Sequence, residues 1–180
     1  GQRQGRRNVV KKGGDLTAET TLSLEEVYHG TTRLIQLNNQ TIKITIKPGV
    51  ADKQILRIAG KGTGGLNGGA NGDLFLTIKI AAHSEFQRKG NDLYFNLPVG
   101  LYTAIIGGKT EIKTLKGKVT VNIPKGTPNG KELRLLGLGM PVYGKKNGFG
   151  NLIVKINIVL PENLSEEEIE LFRKLAALKK

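Results

Sequence analysis

The sequence predicts a mostly β chain with two tandem, duplicated antiparallel β-sandwich domains, short helices within them and a helix at the C-terminus. Three observations predict this class. Several short segments alternate apolar and polar residues, which is the period of a half-buried strand. The 180 residues include 25 glycines but only 6 prolines, a composition that indicates many tight turns rather than disorder. The third observation is an internal repeat.

The internal repeat relates the two halves of the chain. At an offset of 77 residues, apolar positions and glycines coincide in the pairs Leu24 and Leu101, Gly30 and Gly107, Ile35 and Ile112, Ile42 and Val119, Ile44 and Val121, Ile46 and Ile123, and Gly62 and Gly139. One inserted residue then changes the offset to 78, so that Gly72 matches Gly150 and Leu74 matches Leu152. We therefore predict a duplication with its boundary near residue 82.

The clearest strands lie in the middle and at the end of each repeat. Strict alternation of apolar and polar residues is found in residues 41–47 and 118–123, and residues 74–80 and 152–160 repeat the pattern. The Lys and Thr side chains of these segments are expected on the solvent side of a sheet that buries its other face. Asn38-Asn39 and Asn129-Gly130 supply residues that tolerate the left-handed conformations of tight turns.

A short helix is predicted between the first two strands of each repeat, at residues 24–29 and 101–106. A glycine directly follows each of these segments, and glycine is the commonest residue just beyond a helix C-terminus. Ser23 and Glu26 have the spacing of a capping box, in which each side chain accepts a hydrogen bond from the backbone of the other residue. Both repeats are therefore expected to have the same strand, helix, strand order.

The last segment changes from the period of a strand to that of a helix. Pro161 ends the final strand, and Ser165 with Glu168 forms a second predicted capping box. The apolar residues that follow are Ile169, Leu171, Phe172, Leu175, Ala176 and Leu178. This apolar surface is wider than a helix needs in order to dock on one small sheet, so we expect a partner chain to cover part of it.

The composition excludes several classes of site. The chain has no cysteine, which excludes disulfides, thiolate zinc sites and a cysteine nucleophile. Its two histidines, His29 and His83, lie far apart without a nearby carboxylate pattern, so a metal enzyme is not expected. No stretch approaches the roughly 18 apolar residues of a membrane-spanning helix, and no signal-peptide core follows the N-terminus. We expect a soluble, cytoplasmic protein that needs no cofactor.

The formal net charge of +13 makes an acidic partner worth considering. Residues 1–14 contain no acid and carry the cations Arg3, Arg6, Arg7, Lys11 and Lys12. Such a tail is suited to non-specific binding of nucleic-acid phosphates, and a solvated linker end is the alternative. Aromatic residues make up only 5% of the chain and do not interleave with the tail, so base stacking is not expected.

Two glycine motifs resemble phosphate-binding loops but lack the required context. Residues 60–65 match the G-x-G-x-x-G spacing, yet no helix follows whose free amides would face a pyrophosphate. Residues 108–110 resemble the end of a P-loop, but the required upstream glycine position holds Thr103. The carboxylate clusters at 25–26 and 166–168 lie at helix starts, where capping and the helix dipole explain them. An enzyme is therefore not expected.

Several segments together resemble the C-terminal domains of DnaJ proteins, from about Asp15 to the end of the chain. They are LSLEEVYHG at 22–30, IKPGV at 46–50, LRIAGKG at 56–62, NGDL at 71–74, HSEFQRKGNDL at 83–93 and GNL at 150–152. The resemblance implies a client-binding β-domain at residues 15–81 and a second β-domain at 82–160. It also implies that residues 161–180 form the helix that joins two chains into a homodimer.

Two parts of the family are absent from the sequence. It contains no His-Pro-Asp, the motif of the J domain that stimulates a DnaK-type ATPase, and no cysteine-rich zinc insert. The resemblance is therefore to the branch without a zinc domain, related to curved-DNA-binding proteins. Residues 1–14 are expected to be the remnant of a basic, Gly-rich linker.

The resemblance implies a shallow peptide-binding groove on the first repeat, where an extended client segment lies beside a sheet edge. The residues it places at this site are Ala18, Thr20, Arg33, Ile35, Leu37, Lys47 and Phe86. Phe86 is expected to close one end of the groove. Arg33 and Lys47 are expected to meet an acidic tail of the ATPase partner, with ordinary solvation of a strand face as the alternative.

The function that follows from these expectations is that of a non-enzymatic co-chaperone module. It would capture unfolded or extended apolar polypeptide segments and present them to a DnaK-type chaperone. The alternative is a basic architectural DNA-binding protein, because the basic tail and the high net charge would also suit phosphate contacts.

Overall fold

The computed structural model describes residues 9–37 and 39–179, and this part of the chain forms eleven strands and three helices. The strands are β1 (Leu16–Leu22), β2 (Thr31–Leu37), β3 (Gln40–Ile46), β4 (Ile55–Ile58), β5 (Leu74–Ile80), β6 (Phe86–Lys89), β7 (Asp92–Gly100), β8 (Gly108–Thr114), β9 (Gly117–Ile123), β10 (Glu132–Leu135) and β11 (Leu152–Val159). The helices are α1 (Leu24–His29), α2 (Leu101–Ile106) and α3 (Glu166–Ala177). The predicted mostly β class with a C-terminal helix is confirmed.

The described strands form two larger sheets and two hairpins. The larger sheets have the strand orders β1-β5-β4 and β10-β11-β7-β6, and the hairpins are β2-β3 and β8-β9. The chain divides into two compact units. The first ends at Leu93 and includes Leu136–Leu152, and the second contains Tyr94–Leu135 and the chain from Ile153 onward. The domain boundaries drawn from the sequence repeat, between residues 81 and 82 and between 160 and 161, stay a prediction.

One pair of strands differs from the predicted antiparallel arrangement. β1 and β5 pair in parallel, with Leu16 beside Leu74 and Leu22 beside Ile80. β4 runs antiparallel to β5, and β2 runs antiparallel to β3. Parallel neighbours need a long connection, and here α1 and strands β2 to β4 supply it. An alternating pattern does not distinguish the two directions, because both place every second side chain on the same face.

The duplication is visible in individual hydrogen bonds. The N–H of Leu16 donates to the carbonyl of Asp73 at 2.8 Å, and the N–H of Leu93 donates to the carbonyl of Asn151 at 2.9 Å. The helices α1 and α2 also correspond, since both span six residues and both are followed by a glycine. The repeat in the sequence is therefore a repeat of structure.

The core is built from one face of the alternating strands. In β3, Ile42, Ile44 and Ile46 are buried, while the polar residues between them are exposed. Val121 and Ile123 of β9 are buried in the same pattern. Burial of each such side chain contributes roughly 1.5–3 kcal/mol, which fixes the face that each strand turns inward.

Close approach of backbone segments explains Gly62 and Gly65 of the 60–65 motif, and a left-handed φ of 69° explains Gly60. A Cβ atom on Gly62 would lie 2.5 Å from the backbone carbon of Gly72, and one on Gly139 would lie 2.5 Å from that of Gly150. Side chains are not tolerated at such distances, so both repeats require glycine there. The spacing follows from packing and does not require a bound phosphate.

The predicted turn residues adopt left-handed backbone conformations. Asn39 has a φ of 64° and Gly130 a φ of 79°. Asn38, which was predicted to share the first turn, lies outside the described residues. So do Arg3, Arg6 and Arg7 of the basic tail.

The helices begin as the sequence predicted. Ser23 with Glu26 and Ser165 with Glu168 form complete capping boxes, with a reciprocal pair of hydrogen bonds in each. α1 and α2 span the predicted residues. Among residues 9–37 and 39–179, no helix has the length and apolar character needed to cross a membrane.

Candidate peptide-binding groove

The predicted groove lies between two strands that each have an open edge. β1 is an outer strand of its sheet, and β2 pairs only with β3 among the described strands. At one end, the guanidinium of Arg33 in β2 donates to the carbonyl of Thr21 in β1 at 3.2 Å. At the other end, Leu16 of β1 and Leu37 of β2 line the same cavity. These contacts at the two ends indicate that β1 and β2 run in opposite directions.

Ala18 and Ile35 share a sheet face with residues of the core. Ala18 lies beside the buried Leu76 in the β1–β5 register, and Ile35 lies opposite the buried Ile42 in the β2–β3 register. Cross-strand neighbours in a sheet project from the same face. The five predicted residues of β1 and β2 are all only half-buried, namely Ala18, Thr20, Arg33, Ile35 and Leu37. Their assignment to one groove stays a prediction.

Arg33 closes the end of the groove that lies next to α1. Its guanidinium donates to Glu26 Oε2 at 2.8 Å and to the carbonyl of Thr21. Glu26 Oε2 also accepts the N–H of Ser23 at 2.9 Å as part of the capping box. The side chains of Arg33 and Glu26 are 36% and 30% exposed. Glu26 Oε2 therefore takes part both in the capping box of α1 and in the contact through which Arg33 links β2 to β1.

A cavity of about 190 Å³ lies at the opposite end of the groove. It is lined by Leu16, Leu37, Gln40, Ile42, Lys61, Gly62, Thr63 and Gly64. Leu16, Leu37 and Ile42 supply apolar surface, and Lys61 and Thr63 supply polar groups. The cavity is large enough for a bulky side chain of a peptide that lies in the groove.

The observed contacts do not link Lys47 or Phe86 to the other five predicted residues, so their part in the groove stays a prediction. Lys47 is exposed and follows the end of β3. Phe86 is buried at 5% exposure and lines a different cavity, of about 430 Å³, together with Leu24, Ile80 and His83. No residue of β1 or β2 lines that cavity. These contacts therefore do not place Phe86 next to β1 or β2.

The sequence that forms these strands matches a known family of domains. A family model described as the DnaJ C terminal domain matches residues 16–161. The chain belongs to the DnaJ C-terminal domain family. The match begins at the first residue of β1 and ends just beyond β11, so it covers every strand of both repeats.

Relatives that carry the DnaJ name are similar over most of this chain. The chaperone protein DnaJ of Caldicellulosiruptor saccharolyticus is 44% identical over 137 residues, covering 76% of this chain and 35% of the relative. The chaperone protein DnaJ 2 of Thermus thermophilus is 39% identical over 172 residues, covering 96% of this chain and 59% of the relative. The chaperone protein DnaJ of Brucella canis is 40% identical over 154 residues, covering 85% of this chain and 40% of the relative. The chain thus spans between 35% and 59% of the length of these relatives.

Several residues of the groove in this DnaJ C-terminal domain were not predicted from the sequence. Leu16 shares a face with Ala18 and Thr20, and the alternation of β1 would have included it. Lys61 and Thr63 reach the groove only because the loop after β4 folds back to it. Glu26 was assigned to helix capping alone, although it also pairs with Arg33. No local pattern signals the contributions of Lys61, Thr63 and Glu26.

Burial differs between the two repeats at some of these positions. The positions that correspond to Thr20, Ile35 and Leu37 are Leu97, Ile112 and Thr114, and all three are buried, at 5%, 3% and 5% exposure. Phe95 and Thr110, which correspond to Ala18 and Arg33, are half-buried like the residues they match. Three of the five positions are therefore more buried in the second repeat than in the first, and the location of the groove on the first repeat stays a prediction.

Proposed function

We propose that this chain is the client-binding module of a DnaJ-type co-chaperone, which captures unfolded or extended apolar segments and presents them to a DnaK-type ATPase. The half-buried apolar face between the open edges of β1 and β2 carries this proposal. A folded domain ordinarily buries or pairs such surfaces, and their exposure marks an interaction site.

Capture requires only non-covalent contacts. An extended client segment adds its backbone to an open strand edge, and each net hydrogen bond contributes about 0.5–1.5 kcal/mol. Apolar client side chains then cover Ile35 and Leu37, and each fully buried side chain adds roughly 1.5–3 kcal/mol. The backbone contacts are independent of sequence, so the module accepts many clients and prefers apolar residues at alternate positions.

Three further assignments belong to the same proposal. The exposed apolar face of α3 joins two copies of the chain into a homodimer, as argued in the Discussion. The absence of cysteine from the sequence supports placement in the branch without a zinc domain. Lys47 and Arg33 are the proposed contacts of an acidic tail on the ATPase partner.

The substitution Ile35→Asp tests the client-binding function. A carboxylate in the groove must lose its hydration when an apolar client side chain arrives, a penalty of a few kcal/mol. We expect the variant to lose suppression of client aggregation while it keeps its circular dichroism spectrum and its melting temperature. A variant that melts normally and still protects an aggregating client would refute the assignment of the groove.

Two matched variants control this experiment. Leu34 lies on the same strand but on the outer face and is 68% exposed, so Leu34→Asp should leave both capture and melting unchanged. Ile112 is the counterpart of Ile35 in the second repeat and is only 3% exposed. Ile112→Asp should therefore lower the melting temperature strongly instead of causing a selective loss of capture.

A further inference from the structure

The segment that precedes β1 is paired with a loop of the first repeat. Residues 9–14, here called the N-terminal strap, run along the glycine-rich loop of residues 59–73 between β4 and β5. Lys11 and Leu66 form an antiparallel bridge, in which the Lys11 N–H donates at 3.2 Å and the Leu66 N–H donates at 2.9 Å. The N–H of Gly13 donates to the carbonyl of Ala70 at 2.9 Å. Because these bonds join main-chain groups, the pairing does not depend on the lysine side chains of the strap.

Glycines on both sides permit this close approach. A Cβ atom on Gly13 would overlap the carbonyl oxygen of Thr63, and one on Gly69 would overlap the carbonyl oxygen of Lys11. Neither glycine has a left-handed φ, so the contact and not the backbone conformation requires glycine there. A main-chain oxygen cannot rotate aside as the end of a side chain can. The strap and the loop are therefore matched to each other from both sides.

The strap holds the loop residues that line the cavity of the groove. The Thr63 N–H donates to the carbonyl of Gly14 at 2.9 Å, and the Gly14 N–H donates to Thr63 Oγ1 at 2.7 Å. Thr63 belongs to residues 61–64, which form the loop wall of the cavity of about 190 Å³. Leu16, two residues after Gly14, lines the same cavity from β1. The strap therefore fixes the loop wall relative to the start of β1.

The second repeat shows what the strap replaces. Met140 and Asn91 correspond to Thr63 and Gly14, and the Met140 N–H donates to the carbonyl of Asn91 at 2.8 Å, as in the first repeat. Beyond this shared bond the loop of the second repeat pairs within itself, through an antiparallel bridge between Pro141 and Phe149. The loop of the first repeat pairs with the strap instead. Its shape therefore depends on a segment outside the loop.

From these observations we propose that the strap is a positioning element of the groove. By holding residues 61–64 in place it forms the cavity, and the cavity gives the groove a preference for a bulky apolar client side chain at that end. The strap does not contact the client itself. Undocking of the strap therefore weakens this preference without removing the face that carries Ile35. The inference rests on the proposed client-binding function and adds to it a side-chain specificity and the segment that controls it.

A series of peptides tests the contribution of the cavity. The parent peptide alternates valine and serine and ends in solubilising lysines, and each further peptide replaces one valine with phenylalanine. The cavity of about 190 Å³ accepts a phenyl ring, so in the wild type we expect one position at which phenylalanine tightens binding by about tenfold. Fluorescence anisotropy measures the dissociation constants.

Gly13→Ala undocks the strap from its own side, and Gly69→Ala undocks it from the side of the loop. In both variants the gain from phenylalanine should fall below about twofold, while the parent peptide binds as it does to the wild type. Gly14→Ala is the matched control, because the nearest atom to its Cβ would be Thr63 Oγ1 at 3.4 Å, and it should retain the gain. Amide hydrogen exchange at Leu66 reports whether the strap is docked, and the melting temperature reports whether the strands are folded.

The outcomes separate this inference from the proposed function. Loss of the phenylalanine gain, with faster exchange at Leu66 and an unchanged melting temperature, supports the strap, and Gly69→Ala carries the test if Gly13→Ala unfolds. A wild type without a favoured phenylalanine position, a gain that persists while Leu66 exchanges faster, or exchange that neither variant changes would each overturn it. Failure of the parent peptide to bind the wild type, or binding unaffected by Ile35→Asp, would instead reject the proposed function and the role of the strap with it.

Discussion

At the scale of single residues, Asp73 shows how the two repeats have diverged around a shared hydrogen bond. Its Oδ1 accepts the N–H of Gly60 at 2.9 Å, and its Oδ2 accepts two donors from Arg57, at 2.9 and 2.6 Å. In the second repeat Asn151 accepts the N–H of Gly137 at 3.2 Å, so the backbone contact remains without a carboxylate. The carboxylate of Asp73 in the first repeat therefore forms an ion pair that the amide of Asn151 in the second repeat cannot form.

The environment of Asp73 predicts a pH dependence of stability. The hydrogen bond from the Gly60 backbone, with a further contribution from Arg57, holds the pKa of this carboxyl below its ordinary value. A lowered folded-state pKa stabilises the fold above the ordinary carboxyl pKa of about 4, and this contribution is lost as the pH falls through the folded-state value.

Asp73→Asn tests this dependence because an asparagine oxygen still accepts the Gly60 N–H. We expect the variant to be less stable than the wild type at neutral pH, and the difference should narrow as the pH falls below about 4. Urea unfolding at a series of pH values measures it. Glu19→Gln, which removes the exposed ion pair to Lys79, is the control and should change stability by less than about 1 kcal/mol. A difference for Asp73→Asn that is constant with pH would contradict the assignment.

At the scale of secondary-structure elements, α3 and the residue after it expose several large apolar side chains. Phe172 stacks on Tyr102 of α2, with ring centroids 6.4 Å apart and an interplanar angle of 18°. Leu171, Leu175 and Leu178 remain 54%, 57% and 80% exposed. One side of α3 is thus docked, and the leucines are available to a second chain.

Removal of residues 162–180 should convert a dimer into a folded monomer. The predicted dimer contacts are Ile169, Leu171, Phe172, Leu175 and Leu178. Multi-angle light scattering measures the mass, and circular dichroism reports whether the strands are retained. An unchanged dimer after the deletion would refute the assignment.

A double substitution makes the same test without deleting the helix. Leu171→Glu with Leu175→Glu should weaken self-association because two charges would be buried in the interface. Arg173→Gln changes an exposed residue of the same helix that pairs with Glu170, so it should leave the dimer intact.

At the scale of the whole molecule, the net charge of +13 is the property that keeps DNA binding as an alternative. Lys12 of the basic tail lies 3.9 Å from Asp15 and 4.0 Å from Asp73, so neighbouring carboxylates partly neutralise it. High net charge promotes non-specific association with polyanions, whereas capture in an apolar groove depends on buried surface. The two mechanisms can be distinguished by how strongly binding depends on the salt concentration.

We expect suppression of client aggregation to persist as salt rises, since apolar burial is not screened. Any binding of duplex DNA should fall by about a thousandfold or more between roughly 50 and 200 mM salt if several phosphates are contacted. Aggregation assays and DNA anisotropy over the same salt series make the comparison. Client protection that collapses with salt would favour the phosphate-binding alternative. Lys11→Gln with Lys12→Gln should reduce only the binding of DNA.

The sequence by itself determined the elements and their repetition. Alternation in segments such as 41–47, the capping box at Ser165 and the glycines after the short helices depend on near neighbours in the chain, so their physical causes are visible locally. The four-residue strands β4, β6 and β10 were not predicted, because so short a segment contains too little alternation to be distinguished from a loop.

Only the tertiary structure decided how distant segments meet. It made β1 and β5 parallel, placed Leu16 and Lys61 at one end of the groove, and brought Arg33 onto Glu26 and Thr21 at the other. Periodicity gives the face on which a side chain lies but not its neighbours on another strand, because packing across the core selects the pairing. Ile35 and Ile112 occupy corresponding positions of one pattern, yet Ile35 is half-buried and Ile112 is buried, because the packing around them differs.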